Sequence, residues 1–98
     1  MKTVTYENYM KDLVKFVGKH SKKNDFRVET SPMINNRYDK KYLFEDGSTF
    51  WEINEIITEE VEVEVHGIVC KSEVKLYKHE YWSTDSSTTK YWYENIGR

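Results

Sequence analysis

Hydrophobic and polar positions alternate most strictly over residues 59–69, Glu-Glu-Val-Glu-Val-Glu-Val-His-Gly-Ile-Val. A period of two places Val61, Val63 and Val65 on one face of a strand and Glu60, Glu62 and Glu64 on the other. The valine face is expected against a core and the glutamate face in water. Near the start of the chain the period changes. Tyr6, Tyr9, Met10, Leu13, Val14 and Val17 recur at three- and four-residue spacing, which predicts a helix over 6–19 capped by Thr3 or Thr5. Its other face carries Lys11, Lys15 and Lys19, and a polar loop over 21–25 follows.

Residues 26–30 alternate and read as a short strand ended by Ser31-Pro32, because proline removes a ladder donor. Residues 33–36 then form a loop. Asp46-Gly47 lies between apolar runs and reads as a two-residue hairpin turn, which sets Leu43 opposite Phe50, Tyr42 opposite Trp51 and Lys41 opposite Glu52. The returning strand is expected to reach about residue 58, where Thr58-Glu59 offers a turn into the Val/Glu strand. His66-Gly67 reads either as a tight turn, pairing Val65 with Ile68, Val63 with Cys70 and Glu62 with Lys71, or as a bulge in one long strand. The turn is the preferred reading. A last hairpin centred on Ser86-Ser87 pairs Trp82 with Tyr91, Tyr81 with Trp92 and His79 with Glu94. The expected fold is α+β, a single domain over 1–98 with one N-terminal helix packed on an antiparallel sheet of five or six strands.

Composition refines this picture in two places. Eight Tyr, three Trp and four Phe supply large buried areas, so 98 residues can close one core around aromatic rings. The single cysteine, Cys70, excludes an intrachain disulfide and a cysteine-rich zinc site, and reads as a buried structural thiol. With no apolar run long enough for a signal peptide or a membrane span, the expected location is the cytoplasm.

Charge is divided unevenly along the chain. Residues 1–41 hold ten Lys or Arg against five Asp or Glu, and residues 42–98 hold five against twelve. Between Tyr42 and His66 there are eight carboxylates and no Lys or Arg. On a strand, outward carboxylates recur about every 6.6 Å, comparable in scale to the step between phosphates on one nucleic-acid strand.

Catalytic signatures are missing. The glycines, Gly97 among them, are scattered and build no phosphate-cradling loop; His20, His66 and His79 are far apart in sequence. No catalytic, cofactor or metal residue is assigned, and the chain reads as a non-enzyme. A carboxylate row also serves solubility and edge protection, and a lysine stripe is usually a solvated helix face.

The leading expectation is a protein-binding inhibitor that blocks a host or toxin protein by occupying its basic nucleic-acid-binding surface. Glu60, Glu62 and Glu64 would supply charge with help from Glu45 and Asp46, and Tyr81, Trp92 and Tyr93 would be the anchors. In size, acidity and lack of a catalytic signature the chain is similar to two groups of small inhibitors, phage anti-CRISPR proteins and the immunity proteins of nuclease toxins. That similarity implies a phage or mobile-element origin and carries over no residue. The alternatives are a nucleic-acid-binding module using the lysine stripe and exposed aromatics, and a phage structural or assembly protein that forms a homo-oligomer through the aromatic hairpin.

Overall fold

The computed structural model describes residues 1–23 and 25–96. Asn24, from the expected polar loop, and Gly97 lie outside the described residues. The chain runs β1 (Lys2–Thr3), α1 (Tyr6–His20), β2 (Phe26–Thr30), β3 (Arg37–Phe44), β4 (Thr49–Val65), β5 (Ile68–Ser83), β6 (Ser86–Asn95). The strands make one sheet in the order β1-β6-β5-β4-β3-β2. The α+β architecture holds, with one helix on one face of six strands. The sheet is mixed, however, because β1 runs parallel to β6, with Lys2 opposite Lys90 and Thr3 opposite Tyr91.

Thr5 caps the helix. Its Oγ1 accepts the Asn8 N–H at 3.1 Å, and the Asn8 Oδ1 accepts the Thr5 N–H at 3.3 Å, so two donors of the first turn are satisfied reciprocally. At the other end Lys19 and His20 sit in the last turn, where cations suit the negative end of the helix dipole. The covered stripe is rotated from the expected one. Phe16 is the buried helix residue, with Tyr9, Leu13 and Val17 packed around it, whereas Tyr6 and Val14 are exposed.

Beneath the helix lies a layer of rings: Tyr42, Phe44, Phe50, Tyr81 and Trp92. Phe50 is central, stacked on Tyr81 at 5.6 Å and meeting Phe16 at 5.5 Å and Tyr42 at 5.7 Å. Glu52 and Asn54 are buried on the same sheet face, and the Tyr9 hydroxyl donates to the Glu52 carboxylate. Burial first, and that bond second, push the Tyr9 phenol above its ordinary pKa.

Turn chemistry fixes the register of each hairpin. Only Gly47 of the β3–β4 turn has a positive φ, +87°, and its N–H donates to the Phe44 carbonyl, so the loop has three residues with a glycine bulge. The pairing therefore slips by one from the expected register: Leu43 faces Thr49, Tyr42 faces Phe50 and Lys41 faces Trp51. His66 and Gly67 both have positive φ, 53° and 79°, as a two-residue type I′ turn requires. Val65 opposite Ile68, Val63 opposite Cys70 and Glu62 opposite Lys71 follow as the turn reading expects. The last hairpin turns earlier than expected, with Ser83 opposite Ser86 and an irregularity between Tyr81 and Ser83. His79 consequently faces Trp92, and Tyr81 faces Lys90.

No turn forms at Thr58-Glu59. Both residues pair in the β4–β5 ladder, with Lys75 and Val74, because no glycine, proline or asparagine there breaks the extended backbone. β4 is therefore one strand of 17 residues and β5 one of 16. The molecule measures 58 × 26 × 21 Å with a radius of gyration of 17.0 Å, against about 13 Å for a compact chain of this length. Among the described residues no helix is long and apolar enough to cross a membrane.

Candidate interaction surfaces of the β4–β5 arm

β3 stops pairing with β4 at Glu55, and β6 stops pairing with β5 at Leu76. From Glu59 opposite Val74 to Val65 opposite Ile68 the ladder continues, among the described residues, as a two-stranded ribbon with no third strand. Its seven pairs span about 20 Å. This ribbon, the arm, projects beyond the helix and the aromatic core.

Parity along β4 decides which side chains the arm shows on each face. Phe50, Glu52 and Asn54 point at the helix, so Glu60, Glu62 and Glu64 continue that same face past the end of the helix. The Glu60 Oε1 lies 3.1 Å from the Lys71 Nζ, with both groups well exposed; such a pair is screened and weak. Glu62 and Glu64 have no ion-pair partner among the described residues. The opposite face of the arm carries Val61, Val63, Val65, Ile68 and Cys70. The valine side is not glued to a core: Val63 and Val65 are exposed, and Ile68 at the tip is 64% exposed. Cys70 is an exposed free thiol, not a buried one.

The other expected partner-binding residues lie elsewhere. Glu45 and Asp46 occupy the β3–β4 turn, and the eleven residue steps from Thr49 to Glu60 set them about 36 Å from the glutamate row. Tyr81 and Trp92 are 3% and 9% exposed. The helix covers both rings, so neither is displayed as an anchor in this fold. Tyr93, at 43% exposure, is displayed, and it lies on the bare sheet face with Tyr91 at 5.5 Å.

Three constellations complete the site, and of these the sequence pointed only to the proximity of His79 and Glu94. His20 is clamped between two turns: its Nδ1 lies 2.6 Å from the Asp46 Oδ2 and 2.9 Å from the Ser48 Oγ, and its Nε2 lies 2.7 Å from the Asp85 Oδ2. The bonds to Asp85 and then Asp46 raise the His20 pKa. Asp46 is lowered to about 2, chiefly by the Ser48 backbone N–H and then by His20. Asp85 is lowered by His20, with Lys19 adding an ion pair at 3.3 Å. This clasp ties the helix end to the β3–β4 and β5–β6 turns.

Beside the clasp, a cavity of about 230 Å³ opens between α1 and the β5–β6 hairpin, lined by Asp12, Lys15, Lys19 and Lys90 among others. Burial pushes the Asp12 carboxyl up, but hydrogen bonds from Tyr81 at 2.7 Å and Lys90 at 3.0 Å outweigh it and hold the pKa down. Two of the three lysines are thus already paired with carboxylates of the cavity wall.

His79 is the third case. It stacks on Trp92 at 4.1 Å and on Tyr77 at 5.0 Å, and its Nε2 lies 3.3 Å from the Glu94 Oε2. Burial lowers its pKa more than Glu94 raises it, so the ring is a neutral stacked member of the core margin. Among the described residues no group of three or more His, Cys, Asp or Glu side chains could hold a metal ion.

Compared with known proteins, the chain matches no family model, no curated protein and no solved structure.

Proposed function

We propose that the protein is a non-enzymatic binding protein that inhibits a nucleic-acid-handling protein by laying the acidic face of its arm on that protein's basic surface. The observation that carries this reading is the position of Glu60, Glu62 and Glu64. They share one face of a ribbon that no other strand among the described residues pairs with and that projects past the helix. A row buried against its own chain could not do this. Here the carboxylates can enter a groove, and their spacing of about 6.6 Å suits a surface built to grip phosphates. Glu45 and Asp46 take no part in this contact, since Asp46 is held in the His20 clasp.

The test combines a pull-down with a competition assay. Tagged protein is exposed to nuclease-treated lysate at low and high salt, and each captured protein is purified and titrated with a labelled oligonucleotide. The expected result is a partner retained at low salt whose oligonucleotide binding falls as this protein is added. The triple variant Glu60→Lys, Glu62→Lys, Glu64→Lys abolishes both effects while its circular dichroism is unchanged. Competition that survives the triple reversal removes the acidic face from the mechanism. Captured proteins that all vanish on nuclease treatment would instead assign nucleic-acid binding to Lys11, Lys15 and Lys19.

A further inference from the structure

The helix covers one face of the sheet, and the other face runs unbroken from the body onto the arm. In the body this bare face carries Trp51 stacked on Trp82 at 5.9 Å. On the arm it carries Val61, Val63, Val65 and Ile68, three of them among the exposed large hydrophobic residues of the chain. Counting four strands of body and two of arm over about 20 Å each, the bare face has a flat area of about 600 Å². Side-chain relief adds to that figure. The arm end of this face, with Val63, Val65 and Ile68 exposed, is an apolar patch of the kind that marks a contact surface.

We infer that a second copy of the chain covers this face, packed sheet to sheet about a twofold axis that lies in the interface and crosses the strands at right angles. The arm of each copy then lies across the bare body face of the other. Length supports this arrangement. Six steps of β4 from Glu59 to Val65 span about 20 Å, and six from Trp51 to Ile57 span the same distance, so arm and body fit each other end to end. One contact, arm on body, is made twice, as an isologous dimer requires. Size supports it as well, because a specific interface needs about 800 Å² per partner and the bare face with its side chains approaches that value.

Charge distinguishes a second copy from other occupants. On the bare face Lys41, Arg37 and Lys78 stand against Asp39, Glu55, Glu59 and Glu80. Lys78 already pairs with Glu80 at 3.0 Å, and Arg37 with Asp39 at 3.5 Å. This near-neutral face does not repel its own copy. The helix-side face of the arm, with its glutamate row, would. Sheet-to-sheet packing at about 10 Å therefore leaves Glu60, Glu62 and Glu64 pointing outward from the dimer.

The test is the mass of the chain in solution together with one distance across the dimer. Interfaces of this class bind from micromolar to picomolar. At about 100 µM, sedimentation should therefore give twice the chain mass of 11.8 kDa. The variant Val61→Lys, Val63→Lys should give a monomer with unchanged circular dichroism, because both residues lie outside the core cluster. Val65→Lys with Ile68→Lys, at the arm tip, provides an independent second variant. Glu62→Lys with Glu64→Lys should leave the mass doubled, which separates this interface from the acidic contact proposed above. Spin labels on Glu64→Cys in a Cys70→Ser background should lie about 40 Å apart in the dimer, twelve strand steps across the twofold axis. A monomeric native chain at 100 µM, a dimer that survives both lysine variants, or a label distance below about 20 Å would overturn the inference.

Discussion

Excising the arm separates the body's stability from the arm's surfaces. Residues 60–65 and 68–73 are removed, so that Glu59 joins His66 and Gly67 joins Val74. Six residues leave each strand. Because six is even, Glu59 opposite Val74 inherits the hydrogen-bonded pair type of Val65 opposite Ile68, and every remaining side chain keeps its face. The type I′ turn is retained. The longest dimension should fall from 58 Å by about 20 Å. The formal charge should rise from −2 to +1, since four glutamates and one lysine are lost. All six core residues and the five packed against them lie outside the excised segments. What is lost is a set of six exposed cross-strand pairs, none of which belongs to the core cluster. The body should therefore change in stability by less than about 2 kcal/mol, against about 3–5 kcal/mol for a truncation such as Phe50→Ala in the core. Trp51, Trp82 and Trp92 remain as fluorescence probes for denaturant unfolding. The Val61→Lys, Val63→Lys chain is the reference, so that self-association contributes to neither measurement. An excised chain that loses more than about 3 kcal/mol, or does not fold, would show that the arm packs on the body and is not a free projection.

Two further predictions concern residues that bind the elements together. For the clasp, a raised folded pKa means that the His20 contribution is fully present below the unfolded value of 6.5 and is lost as pH rises through the folded value. The lowered Asp46 and Asp85 contribute above 3.8 and lose that contribution as pH falls through their folded values, which for Asp46 is about 2. The melting temperature of the native chain should thus exceed that of His20→Gln by more at pH 5 than at pH 8, and a constant difference across that range would refute the clasp. Tyr81→Phe removes only the hydroxyl that donates to Asp12. It should cost about 1.5–3 kcal/mol, towards the lower end because Lys90 still satisfies the carboxylate. Lost partner binding with unchanged denaturant stability would instead make Tyr81 a surface anchor.

The sequence revealed period and turn chemistry wherever these were local. Thr5 and the three- and four-residue spacing located the helix, and His66-Gly67 located the arm's tip, because each signal depends on backbone geometry within a few residues. The Asp46-Gly47 register was missed by one because a three-residue loop with a glycine bulge uses the same dipeptide as a two-residue turn. The buried stripe of the helix was misplaced for a different reason. Asp12 and His20 border the covered side and find their partners far along the chain, at Tyr81 on β5 and at Asp46 and Asp85 in two turns. Hydropathy counts such residues as solvent-facing. β1 has two residues and no period; it is held by its place beside β6, with the Val4 N–H donating to the Tyr91 carbonyl at 2.8 Å.

The largest misreading, that the valines of 59–69 face a core, follows from what alternation does and does not encode. A period of two says which side chains share a face, but covering that face takes another layer. The only helix among the described residues has 15 residues and is about 22 Å long, whereas β4 has 17 residues and is about 56 Å long. Some 30 Å of sheet must therefore emerge from under the helix whatever its composition. On the helix side the emerging stretch is a row of glutamates, which repels its own copy and attracts basic surfaces. On the other side it is valine and isoleucine, on the same sheet face as the tryptophans of the body. The same alternation thus forbids self-association through one face and favours it through the other. An arm so divided can hold a second copy on its apolar side while its carboxylates stay available to a different partner.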